Sequence, residues 1–203
     1  AGAPLKSVSL GIKDEATSQW LFSRRGEAML SKHGIQGSLI YAASRTINRL
    51  LSSAGSATLV WDLLPDMTEP TILRKLSAER GKESRSNFLR KRLGISGLKM
   101  AMLNEFAKHA LDSPHQLAAL LKALPMTVKR ARPLDEAIST AGGLCFSEVD
   151  AGLMLKKYPG VFCAGEMLDW DAPTGGYLLT ACLASGYCAG NAAQQYLDQQ
   201  HDK

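Results

Sequence analysis

The chain has 203 residues, 45% hydrophobic and 21% charged, with 6% aromatic and a formal net charge of +5. A chain of this length buries roughly 70% of its unfolded surface, so its core needs neither disulfide nor metal. The composition excludes a disordered polymer, and the few aromatic rings argue against a base-stacking nucleic-acid module or a carbohydrate platform.

The charge is unevenly spread. Residues 70–132 hold fourteen Lys/Arg against four Asp/Glu, and the rest of the chain ten against fifteen, so a basic middle and acidic flanks are expected to be separate units. No basic and apolar leader opens the chain at Ala1. No signal peptide is expected, and the missing methionine suggests a piece of something longer. Cys145, Cys163, Cys182 and Cys188 contain no C-x-x-C pair and lie in apolar runs, which predicts reduced, buried cysteines in a cytoplasmic protein.

In chain order, Leu5, Val8 and Leu10, then Trp20-Leu21-Phe22, Met29-Leu30 and Ala57–Trp61, read as short strands between Gly, Ser and charged turns. Between them the spacing of Ile40, Ala43, Ile47, Leu50 and Leu51 predicts a helix over Leu39–Leu51. Thr68-Glu69-Pro70 is a helix start with Thr68 as cap, followed by Ile72, Leu73 and Leu76, with Gly81 as the stop. Phe88, Leu89 and Leu93 give a second helix ending at Gly94, and Met100, Leu103, Phe106, Ala107 and Ala110 a third. Leu117, Leu120, Leu121 and Leu124 give a fourth, entered through Ser113-Pro114. Met126–Arg132 alternates apolar and basic residues, as an edge strand does.

The character changes from Ala141. Val161-Phe162-Cys163-Ala164 is a continuous apolar run of the kind a buried parallel strand shows, ending at Gly165-Glu166. A glycine-bearing loop follows, and then a helix from Tyr177 to about Leu197 without a single charge. Thr180, Ser185, Asn191 and the Gln194-Gln195 pair exclude a membrane span. The reading is a helix buried on all sides, approaching a sheet closely at Gly186 and Gly190.

This order puts a helix start at the carboxyl edge of a sheet, where open α/β sheets bind ligands. Backbone N–H groups at Gly176, Tyr177 and Leu178 can take an anion or a partly negative carbonyl, aided by the helix dipole. Glycines at 175 and 176 allow close approach, and Glu166 can accept hydrogen bonds from ligand hydroxyls. A polyhydroxylated ring cofactor such as a flavin suits this set. The bland readings stand beside it: Glu166 as a loop cap or lysine partner, Gly175-Gly176 as a tight turn, Tyr177 as packing.

The motifs are familiar. Thr-Ala-Gly-Gly at 140–143, Ala-Gly-Glu at 164–166, Leu168-Asp169, Thr-Gly-Gly-Tyr at 174–177 and Ser-Gly-Tyr-x-Ala-Gly at 185–190 resemble the carboxy-terminal flavin segment of the BaiN/YhiN-like FAD-dependent oxidoreductases, a group that includes aminoacetone oxidase. Arg25-Gly26-Glu27, Lys32–Gly37 and Leu63-Leu64-Pro65-Asp66 resemble upstream segments of the same family. Ser31 stands where that family has threonine, and Ser38 where many members have proline. The G-x-G-x-x-G turn with which the family begins matches nothing here.

The resemblance implies an α+β, multidomain fragment. A small β-barrel (1–66 and 126–140) would carry an inserted helical subdomain (67–125). After it would come the C-terminal strand–helix part of a Rossmann-like FAD-binding domain (141–203). The implied function is flavin hydride transfer with NAD(P)H or a small amine- or ketone-type substrate, in partnership with a missing N-terminal FAD half and inactive alone. Glu166, Gly175, Gly176, Tyr177 and Leu178 are the implied FAD contacts. Asp169 and Gly143 join them through their motifs, although Asp169 and Asp171 also suit turns and Gly142-Gly143 a crossover. His33 is a candidate substrate contact or a solvated loop histidine. No side chain is named as catalytic, and His109, His115 and His201 show no metal spacing. The alternative is a polyanion-binding module using Arg74, Lys75, Arg80, Lys82, Arg85, Arg90, Lys91 and Arg92. No recognisable DNA-binding motif accompanies these residues, so nucleic acid is the lesser reading.

Overall fold

The computed structural model describes residues 2–172 and 176–201, in two units, Ala1–Ala131 and Arg132–Lys203. The first is built on five antiparallel strands: β1 (Ala3–Lys13), β2 (Trp20–Ser31), β3 (Gly34–Gln36), β4 (Ala57–Asp62) and β5 (Leu124–Val128), in the order β3-β2-β1-β4-β5. The apolar pattern of β1 has an odd step between Leu5 and Val8. A bulge absorbs it: Ser7 takes a positive φ of 50° and the register shifts there, so Leu5, Val8, Leu10 and Ile12 all face the core. Trp20–Phe22 and Met29–Leu30, expected as separate strands, belong to the single β2, because Arg24, Arg25 and Glu27 are exposed positions along it.

Helix α1 (Ser38–Ala54) buries Leu39, Ala43 and Ile47, a stripe one helical turn apart, and ends on Gly55 in the left-handed conformation. Leu39 lies across Gly26 of β2, where an added Cβ would come 3.3 Å from its Cδ1.

Four helices intervene between β4 and β5: α2 (Glu69–Leu76), α3 (Arg85–Leu93), α4 (Gly97–Phe106) and α5 (Pro114–Lys122). The hydroxyls of Ser84 and Ser113 accept the N–H groups of Asn87 and Gln116, capping α3 and α5 as their sequences require. Helix α2 stops at Leu76, short of the expected Gly81, because Ser77 turns its hydroxyl onto the Leu73 carbonyl and closes the last turn. Ile72, Phe88, Leu89, Leu103, Leu117 and Leu121 share one continuous core with Leu10, Leu59, Trp61 and Leu124 of the sheet.

Two lysines tie helices to sheet. Lys99 of α4 donates to the carbonyls of Ser7, at the β1 bulge, and Leu63 (3.1 and 2.6 Å), and burial pushes its ammonium below the ordinary lysine value. Lys122 of α5 donates to the carbonyls of Leu64 and Met67 (3.0 and 2.8 Å) and pairs with Asp62 at 2.6 Å. On the outside, Arg25 grips Asp66 with two hydrogen bonds of 2.6 and 2.7 Å. Those bonds hold the Asp66 carboxyl below the usual carboxylate value. The folded pKa therefore lies below the unfolded one, so this stabilisation is full above about pH 4 and disappears as pH falls through the folded value. Acid titration of unfolding tests it. The parent loses stability more steeply below about pH 4 than Asp66→Asn does; parallel curves would show that the clasp contributes nothing.

In the second unit, residues 132–172 form short 3-10 turns and isolated bridges, followed by α6 (Gly176–His201). Four readings are corrected here. Residues 161–164 form no strand: Phe162 makes a single antiparallel bridge to Met154, since the described residues of this unit supply no neighbouring strands to pair with. Helix α6 is not buried all round. Its stripe of Leu178, Cys182, Ser185, Ala189, Ala192 and Tyr196 is at least half-covered, while Tyr177, Leu179, Leu183 and Tyr187 are 64–75% exposed. Cβ atoms added at Gly186 and Gly190 would meet nothing within 4 Å, so neither glycine serves a close approach here. The free cysteines are also less buried than expected: Cys145 and Cys188 are exposed, Cys163 and Cys182 half-buried.

Candidate functional site

The glycines of the Thr-Ala-Gly-Gly and Ala-Gly-Glu motifs are required by the backbone. Gly143 (φ 149°) and Gly165 (φ 70°) both occupy the region that side chains disfavour. A Cβ on Gly143 would fall 2.5 Å from the Met167 carbonyl oxygen. That approach lets the Leu144 N–H donate to Met167 (2.8 Å) and the Asp169 N–H donate to Leu144 (2.9 Å), forming a parallel bridge between Leu144 and Leu168.

The two motifs, over twenty residues apart in sequence, are thereby laid side by side. The Ser139 hydroxyl donates to Glu166 Oε1 at 2.6 Å. The Glu166 turn is anchored on α6, where the Ser185 hydroxyl accepts the Gly165 N–H at 3.0 Å, and the Trp170 indole N–H donates to the Gly165 carbonyl at 2.8 Å. Asp169 is exposed, its Oδ2 lying 3.8 Å from Cys145 Sγ. Gly176 and Tyr177 are exposed and Leu178 half-covered in the first turn of α6, where N–H groups have no intrahelical acceptor. Gly175 lies outside the described residues. Glu166 is a half-buried acceptor and the first turn of α6 a row of backbone donors, groups of the kinds that a cofactor with hydroxyl and carbonyl groups uses.

His33 belongs to the first unit, exposed in the two-residue turn between β2 and β3, its N–H on the Ser31 hydroxyl at 3.3 Å. The basic row is partly neutralised: Arg85 pairs with Asp112, Lys91 with Glu83, and Arg92 lies over the Phe88 ring. Among the described residues there is no cluster of three metal-ligating side chains, and no helix is long and apolar enough to cross a membrane.

Sequence reasoning missed Lys99 and Lys122. On helices rich in Lys and Arg they look like any solvated charge. The one signal is Asp62 beside the Leu-Leu-Pro-Asp segment, a carboxylate needing a partner where β4 leaves the sheet.

Comparison with known proteins agrees with the motifs. A 3-dehydro-bile acid delta(4,6)-reductase of Clostridium scindens is 25% identical over 202 residues, covering 91% of this chain and 49% of that protein. The chain thus spans about half the length of this curated relative. Residues 1–139 match the family described as HI0933-like protein barrel and H2TH domain. The sheet with its inserted helices is that region, and the chain belongs to the HI0933-like barrel and H2TH family.

Proposed function

We propose that this chain is the barrel, helical insert and closing segment of an FAD-dependent reductase, acting in the cytoplasm on a small-molecule substrate with NAD(P)H as electron donor. The observation that carries the reading is the Ser139–Glu166 hydrogen bond, with the Leu144–Leu168 bridge beneath it. Two flavin-type motifs meet there beside α6. The similarity to a reductase supports the same reaction class.

Glu166 would accept ribityl hydroxyls, its free oxygen serving while Ser139 holds the other. The first-turn amides of α6, at Gly176, Tyr177 and Leu178, would face a ring carbonyl, where the positive helix end stabilises developing negative charge. The bound flavin supplies hydride transfer. Asp169 and Gly143 support the site through backbone pairing. The exposed face of Tyr177, Leu179, Leu183 and Tyr187 would dock against an N-terminal half carrying the FAD pyrophosphate site, and apolar patches of this kind mark such contacts. Without that half the chain is expected to hold no flavin and to catalyse nothing.

A visible absorption spectrum with and without added FAD tests this, for the chain alone and joined to its N-terminal half. The joined protein is expected to be yellow and the chain colourless. In the joined protein, Glu166→Ala lowers FAD affinity roughly tenfold or more, as expected for lost hydrogen bonds to a charged group. Ser139→Ala costs less, because water can replace the hydroxyl. Unchanged affinity in Glu166→Ala would remove the assigned role.

A further inference from the structure

The helical insert contains a cleft of its own, lined by residues that none of the motifs includes. Its floor is Leu76, Phe88, Leu89 and Leu117, all almost fully buried, and its volume is about 160 Å³. An engineered apolar cavity of roughly this size, ~150 Å³, takes up a benzene ring. At the mouth stand Arg80, Arg85 and Asp112.

The charges at that mouth do not cancel. Asp112 is paired with Arg85. The guanidinium of Arg80 makes no ion pair or hydrogen bond among the described residues. The site therefore presents a narrow apolar floor, formed by the small exposed parts of these side chains, and a net single positive charge at its rim. A neutral hydrocarbon would gain nothing from that solvated guanidinium, a dianion would meet Asp112, and a sugar would strand its hydroxyls on the floor.

We propose that this cleft binds a small hydrophobic monocarboxylate, its ring on Phe88 and Leu117 and its carboxylate at Arg80, with Arg85 alongside. A planar guanidinium matches a carboxylate in geometry as well as charge. The ligand of this class has about nine non-hydrogen atoms, so its affinity falls in the millimolar range. It weakens with added salt, since the charges are exposed. The site is independent of the flavin reading and lies within the first unit.

The test is a titration of the isotope-labelled 203-residue chain with sodium benzoate, followed by amide NMR, with benzyl alcohol and sodium acetate as controls. Benzoate is expected to shift the amides of Ala78, Arg85, Leu89 and Leu111 along one saturable curve, with benzyl alcohol several-fold weaker and acetate inert. Arg80→Gln changes an exposed residue and leaves the fold intact. It is expected to weaken benzoate roughly two- to fivefold, the effect of one exposed charge contact, without moving benzyl alcohol. Equal binding of benzoate and benzyl alcohol, an unchanged benzoate affinity in Arg80→Gln, or no saturable shift would each overturn the proposal.

Discussion

Lys122→Ala lowers the stability of the first unit by about 3 kcal/mol. The side chain is only 22% exposed and Asp62 only 21%. Removing the ammonium leaves a half-buried carboxylate without its counter-charge and the carbonyls of Leu64 and Met67 without their donor. Leaving such groups unpaired costs more than the pair itself contributes. In urea unfolding the midpoint should fall with an unchanged m-value, since native compactness is not altered. The double variant Lys122→Met/Asp62→Asn should recover part of the loss, because it withdraws the carboxylate charge together with its partner. A cost under about 0.5 kcal/mol would make Lys122 an ordinary surface lysine.

Gly143→Ala has a comparable effect in the second unit. Its methyl would lie 2.5 Å from the Met167 oxygen and 2.9 Å from the Leu168 carbonyl carbon, both backbone atoms that cannot rotate away. The positive φ of 149° adds strain. A loss of roughly 3 kcal/mol is expected locally, enough to break the Leu144 bridge and separate Ser139 from Glu166. Amide exchange reports it directly: the Leu144 and Asp169 N–H groups, protected in the parent, exchange freely in the variant. Gly142→Ala is the control. It too has positive φ, but its Cβ meets nothing within 4 Å, so it should cost about 1 kcal/mol and leave the bridge in place. Equal effects of the two would show that conformation, not the close approach, is what matters at 143.

Much of the first unit was legible because its signals are local. Thr68 and Pro70 start α2, Gly94 ends α3, Ser113 and Pro114 open α5, and each marks an element end by its own backbone chemistry. The continuity of β2 was hidden by Arg24, Arg25 and Glu27, charges that suggest a turn until their exposed positions along the strand are known. In the second unit the apolar runs at 161–164 and along α6 were read as burial. Composition reports that a surface avoids water; it does not report which chain supplies the cover.

The site divides the same way. Glu166 and the α6 start were visible as motifs, and no spacing rule announced that Ser139 would meet Glu166. That contact depends on the Gly143 approach, a fact of three-dimensional packing. Some motif residues also have structural reasons of their own: Arg25 and Asp66 form a clasp, and Gly26 makes room for Leu39.

The placement of α2–α5 between neighbouring strands bears on the order of folding. Trp61 and Leu124 face each other across the β4–β5 ladder, so the chain departs and returns at one point. Bringing those ends together across an unstructured loop of about 60 residues would cost roughly 3–4 kcal/mol of closure entropy. Helices capped by their own sequence, with α2 packed on α5, shorten that distance before any strand pairs. Helix docking should therefore precede registration of β5, and variants that loosen the α2–α5 contact should slow refolding of the whole sheet.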